Sequence, residues 1–225
     1  REASLLRELI INCSQIVDKA YDDRGKAAEL ISEAENMIFQ LAERRITRGF
    51  QHVGSLLDEV LNNIESAYKH KSAVTGVATG YQRLDQLTSG LQKSNLVILA
   101  ARPSVGKTAF ALNIAQNVAM KSKVPVGIFS LEMSADQIIT RILCSEAQVD
   151  LSKVRSGYIS PEHFRNLTSA ANRLHDAPIY IDDSPGLSIN EIRSRSRRLA
   201  TEVKNLGLLV LDYIQLVSVQ DRIEN

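Results

Sequence analysis

The sequence predicts an α/β fold with a parallel sheet and a phosphate-binding loop, and three observations carry that prediction. Short continuous aliphatic runs alternate with helical segments from residue 95 onward, as a sheet covered on both faces requires. The first run leads into Gly106-Lys107-Thr108 at the start of an apolar helix. The last run, Leu208 to Leu211, ends in Asp212. At 225 residues and 44% hydrophobic content the chain can build one ordinary core plus a smaller appendage.

Residues 1–47 read as a helical hairpin. Leu6, Leu9, Ile10, Cys13, Val17 and Ala20 recur at three- and four-residue spacing, and Leu30, Ile31, Ala34, Met37, Ile38 and Leu41 repeat the pattern after Asp22-Asp23-Arg24-Gly25. Residues 48–75 read as a linker helix and hinge. Leu57, Val60, Leu61, Ile64 and Ala67 form an amphipathic stripe after Gly49 and Gly54, and Lys69, His70, Lys71 and Ser72 lead towards Thr75, Gly76 and Gly80. A tethered helix cannot bury its stripe against itself, so it docks either on its own chain or on a neighbouring subunit. The residues alone leave both open.

Residues 76–225 hold the α/β part. Its expected strands are Leu96–Ala100, Val126–Phe129, Ile179–Ile181 and Leu208–Leu211. Helix starts are marked by capping pairs, Ser134 with Gln137 and Ser188 with Glu191, and by Ser160 followed by Pro161 in the first turn.

The loop Ala101-Arg102-Pro103-Ser104-Val105-Gly106-Lys107-Thr108 joins the first expected strand to its helix. Backbone amides and a helix N-terminus make such a loop an anion cradle. Lys107 is placed to reach the β- and γ-phosphates of a nucleoside triphosphate, and Thr108 to ligate Mg²⁺. The usual pattern opens with glycine where this chain has Ala101, so the loop must leave the strand without a left-handed residue there, helped by the rigid Pro103. The competing account, a chance Gly-Lys-Thr at a helix start, lacks a reason for the strand-loop-helix context.

Asp212 lies where open α/β sheets bind ligands, at the carboxyl end of a strand, and suits a Mg²⁺ carboxylate. Tyr213 follows it, so a hydrolytic base must come from elsewhere. Glu132, just past Val126–Ser130, can share the same sheet edge and polarise an attacking water. Geometry leaves that role and simple support of the strand-to-helix turn open. Asp182 and Asp183 precede Ser184-Pro185-Gly186 and read as turn caps. Arg193, Arg195, Arg197 and Arg198 could suggest nucleic acid, but Glu191 and Glu202 stand four residues from Arg195 and Arg198, which favours a salt-bridged, solvated face.

The balance of 27 basic and 26 acidic residues gives no overall basic field. Residues 1–70 carry a net −3 and residues 71–225 a net +4. Cys13 and Cys144 stand apart and read as free thiols, the four histidines have no metal-ligand spacing, and no apolar run suits a membrane span. A cytoplasmic protein is expected. A chain that opens on Arg1 and stops at Asn225 reads as part of a longer polypeptide.

Thr79-Gly80-Tyr81-Gln82-Arg83-Leu84-Asp85-Gln86-Leu87-Thr88-Ser89-Gly90-Leu91, the loop from Ala100 to Phe110, Phe129-Ser130-Leu131-Glu132-Met133 and Leu211-Asp212-Tyr213-Ile214-Gln215-Leu216 together resemble bacterial replicative DNA helicases of the DnaB type. Within that family Ala101 is a match to the pattern. The resemblance implies a truncated RecA-like sheet and a homohexameric ring that hydrolyses ATP or another NTP with Mg²⁺ at subunit interfaces, translocating on single-stranded DNA. It further implies Glu132 as the catalytic carboxylate with Lys107, trans docking of linker helix 53–68, partnership with a primase and a helicase loader, and a nucleoid or plastid setting. It places the arginine finger, the γ-phosphate-sensing strand and the DNA loops beyond residue 225, so that the chain alone is expected to be inactive. A RecA- or RadA-type recombinase shares the Thr-Gly-x-x-x-Leu-Asp lead-in, and a non-catalytic interaction module is the reading from another class.

Overall fold

The computed structural model describes residues 2–22 and 74–218 continuously, with scattered positions between 27 and 65. Two compact units divide the chain, Arg1–Ser66 and Ala67–Asn225. Residues 23–26, Leu41, Gly49, the 66–73 junction and residues 219–225 lie outside the described positions.

In the first unit, α1 spans Glu2–Asp22. Further helical residues follow at Leu30, Ile31, Glu33, Ala34, Met37 and Ile38. Lys19 pairs with Glu33, and Asn12 Nδ2 donates to the Met37 carbonyl at 3.5 Å, so the two arms run against each other. The face that the apolar spacing marks for burial is not the face that meets the second arm. Leu6, Ile10 and Val17 remain 60%, 65% and 51% exposed, whereas Asn12 and Ile16 are partly buried. The stripe at Leu57, Val60, Leu61 and Ile64 is likewise exposed.

The second unit opens with a clasp. Val77 and Leu91 form an antiparallel bridge around α2 (Gln82–Thr88). Buried Asp85 accepts from the Thr79 amide and hydroxyl, both at 2.8 Å, and from the Gly80 amide at 3.2 Å. Asn117 of the next helix donates to the Thr79 carbonyl at 3.1 Å. Gly80 has φ +82°, and a Cβ there would stand 2.5 Å from the Asn117 side chain, so only glycine closes this contact.

Beyond the clasp run α3 (Lys107–Lys121), β1 (Val126–Ser130), α4 (Ala135–Ala147), α5 (Leu151–Ser156), α6 (Pro161–His175), β2 (Ile179–Asp182), α7 (Ile189–Val203), β3 (Leu208–Asp212) and a 3₁₀ turn at Ile214–Leu216. The strands form a parallel sheet in the order β2-β1-β3, with Phe129 opposite Leu211 and Ser130 opposite Asp212. Central β1 is buried throughout. Val126 and Ile128 pack with Leu112, Ala115, Val118 and Ala119 of α3 and Ile138 and Ile142 of α4. Each such aliphatic side chain contributes about 1.5–3 kcal/mol when fully buried. A second cluster joins Cys144 and Ala147 of α4 to Leu167 and Ala170 of α6.

One expected strand is missing. Residues 95–100 make no strand pairing, and Leu96, Val97 and Ile98 are 86%, 65% and 78% exposed. A strand exists through its ladder, and here both sides of β1 are already taken by β2 and β3. An apolar run without a neighbour to pair with keeps its pattern but not its hydrogen bonds. The α/β class holds, with three parallel strands among the described residues.

Candidate functional site

The carboxyl ends of β1 and β3 and the N-terminus of α3 meet at one place. The loop before α3 turns through two left-handed residues, Ser104 at φ 64° and Gly106 at φ 104°. Ala101 is not among the positive-φ positions, as its Cβ requires. A Cβ at Gly106 would meet nothing within 4 Å, so the glycine answers to conformation and leaves the space over the helix end open.

That helix end carries unsatisfied donors. Helices α4, α5, α6 and α7 are each capped by a side chain: Ser134, Asp150, Ser160 and Ser188 accept from amides in their first turns. The N-cap of α3 is Gly106, and no side chain caps it. Its first-turn amides and the positive end of the helix dipole therefore face outward, towards an anion.

Beneath the loop, Thr108 Oγ1 donates to Asp212 Oδ2 at 2.7 Å. Asp212 is buried at the end of β3. Lys107 Nζ stands 4.6 Å from the centroid of the Tyr213 ring. Two consecutive residues of α3 thus contact two consecutive residues at the end of β3. Nothing local in the sequence signals the Lys107–Tyr213 contact, because it depends on how α3 lies along the sheet.

Glu132 lies at the same edge. Ser130 pairs with Asp212 in the register, and the Leu131 amide donates to the Asp212 carbonyl at 2.9 Å. The turn that carries Glu132 is braced by other residues. Buried Ser130 bonds both the carbonyl and the amide of Met133, and Asp183 Oδ2 joins Ser134 in capping α4 by accepting from the Ala135 amide at 2.8 Å. The Glu132 side chain is exposed and makes no hydrogen bond among the described residues. The turn does not need its carboxylate.

The other acidic and basic candidates have structural partners. Asp182 accepts from the Ser184 amide at 3.0 Å and from Arg195 at 2.8 Å. Burial opposes its ionisation, but the hydrogen bonds from Arg195 and Ser184 outweigh that and hold its carboxyl below the ordinary range. Arg195 therefore reaches across to β2 instead of bonding Glu191, which is engaged by the Ser188 capping box, while Arg198 pairs with Glu202 at 3.0 Å as its spacing predicts. No cluster of three His, Cys, Asp or Glu side chains occurs among the described residues. A hard cation at this edge would need oxygen ligands beyond Thr108 and Asp212, such as phosphates and water. No helix among the described residues is long and apolar enough to cross a membrane.

Residues 76–225 match the family model described as the DnaB-like helicase C terminal domain. The chain is 44% identical over 221 residues to the "Replicative DNA helicase DnaC" of Bacillus subtilis (strain 168), covering 98% of this chain and 48% of that protein. It is 43% identical to the "Replicative DNA helicase DnaB" of Geobacillus stearothermophilus with the same coverage. The chain thus spans about half the length of the curated relatives it matches. Among solved structures it superposes on an isolated ATPase domain with a TM-score of 0.70 at 32% identity, over 79% of this chain and 62% of that one. It also superposes on a chain from "The Structure Of A DnaB-Like Replicative Helicase And Its Interactions With Primase" with a TM-score of 0.77 at 29% identity, over 100% of this chain and 51% of that one.

Proposed function

This chain belongs to the DnaB-like helicase C-terminal domain family, and from that premise we propose that it is the nucleotide-binding part of a replicative DNA helicase. In this reading NTP hydrolysis drives movement along single-stranded DNA and duplex unwinding. The observation that carries the reading is the Thr108–Asp212 hydrogen bond at 2.7 Å beneath the uncapped N-terminus of α3, with Lys107 beside it.

The chain's own groups divide the work. Amides of Ala101 to Thr108 cradle the β- and γ-phosphates, and Lys107 places a point charge against them. Thr108 and Asp212 offer hydroxyl and carboxylate oxygens, the hard donors that suit Mg²⁺. When bound, Mg²⁺ neutralises charge on the phosphate oxygens. Glu132, free of structural duties in its turn, accepts the proton of the attacking water.

The whole assembly is a homohexamer in which linker helix 53–68 docks on a neighbouring subunit through the exposed Leu57, Val60, Leu61 and Ile64. Primase and a helicase loader are its protein partners, in line with the printed title of the superposed helicase structure in the case of primase. A cytoplasmic, nucleoid-associated location follows from that work.

The test uses the full-length protein. Lys107→Ala abolishes nucleotide binding, hydrolysis and unwinding together, measured by nucleotide titration, phosphate release and strand displacement. Strand exchange without unwinding by the unaltered protein would replace this reading with a recombinase. Unimpaired unwinding by Lys107→Ala would remove the phosphate-loop assignment.

A further inference from the structure

We propose that Tyr213 is a positioning residue for Lys107: the face of its ring holds the ammonium beside Asp212 while keeping the two charges from pairing. The proposal rests on the reading of Lys107 as a phosphate ligand and adds the group that directs it.

A lysine next to a buried carboxylate ordinarily takes it as an ion-pair partner. That has not happened here. Asp212 accepts from Thr108 at 2.7 Å, and Lys107 makes no ion pair among the described residues, its Nζ lying 4.6 Å from the Tyr213 ring centroid. An aromatic face attracts a cation through its quadrupole but has no net charge and no strong acceptor to capture an N–H. The ammonium therefore keeps its donors for phosphate oxygens, and Asp212 keeps its carboxylate for Thr108 and a cation. An acid at position 213 would draw Lys107 into a pair that phosphate must break. An aliphatic residue would leave its long stem without a resting place, and ordering that stem would then weigh against nucleotide binding.

The consequence is a role in ground-state binding of a nucleoside triphosphate, carried by the ring and not by the hydroxyl. In the full-length protein, Tyr213→Leu raises KM for ATP and weakens binding of a fluorescent ATP analogue by about two- to fivefold, with kcat kept within about twofold. Tyr213→Phe restores the unaltered values. Because Leu alters packing, a second series replaces Tyr213 by phenylalanine with increasing ring fluorination, which weakens the ring face at nearly constant shape. Affinity then falls with each added fluorine. A flat fluorination series, a Phe variant as impaired as Leu, or a fall in kcat at unchanged KM overturns the proposal. Retained nucleotide binding by Lys107→Ala overturns the phosphate reading along with it, whereas loss at Lys107 with a flat series overturns the Tyr213 proposal alone.

Discussion

At the scale of single residues, the site depends on side chains whose partners are remote in sequence. Asp85 shows how much one buried carboxylate can organise: it gathers three donors from Thr79 and Gly80, and Asn117 ties that segment to α3. Asp85→Asn turns one acceptor edge into a donor facing an N–H or O–H, and hydrogen bonds to charged groups contribute about 1.5–3 kcal/mol. Urea denaturation is expected to show a loss of about 2 kcal/mol. An unchanged midpoint would mean that the clasp does not hold the lead-in to the phosphate loop. The same scale marks the boundary of what was legible. Ala101 to Thr108 could be read directly because the cradle is built from adjacent residues. The Lys107–Tyr213 contact, the Asp183 cap on α4 and the Arg195–Asp182 pair could not, since packing alone brings those partners together.

At the scale of elements, local rules predicted helix starts better than sheet membership. Ser134, Ser160 and Ser188 all cap where their spacing indicates, because a cap is settled within one turn. Strand status at 95–100 is not a local property, and an aliphatic pattern cannot reveal whether a ladder partner is present. The α7 cap yields two measurable outcomes. Ser188→Ala removes the acceptor for the Glu191 amide and is expected to destabilise by about 1 kcal/mol in denaturant titration. Glu191 is held below the ordinary glutamate range by the Ser188 amide and then by its hydroxyl. Its folded form therefore ionises more readily than its unfolded form. The associated stability is present above the unfolded glutamate pKa and is lost as pH falls through the folded value. Urea midpoints of the unaltered protein and Glu191→Gln should converge as pH drops below the usual glutamate range. A gap that stays constant would show that the box does not depend on the charge.

At the scale of the whole molecule, the exposed apolar stripe and the nucleotide site belong to one argument about assembly. Leu57, Val60, Leu61 and Ile64 are 48%, 49%, 59% and 59% exposed, a row that water disfavours and a neighbouring subunit can cover. Leu61→Asp in the full-length protein is expected to shift the hexamer to smaller species in light scattering at fixed concentration. An unchanged mass would return the helix to its own chain. The central claim is chemical, however: Lys107, Thr108 and Asp212 hold the nucleotide, and Glu132 activates water. Its most direct test is ATP turnover by full-length Glu132→Gln, with nucleotide binding measured on the same sample. The account predicts that bound nucleotide is retained while turnover falls by about 100-fold or more, and normal turnover in that variant would contradict it.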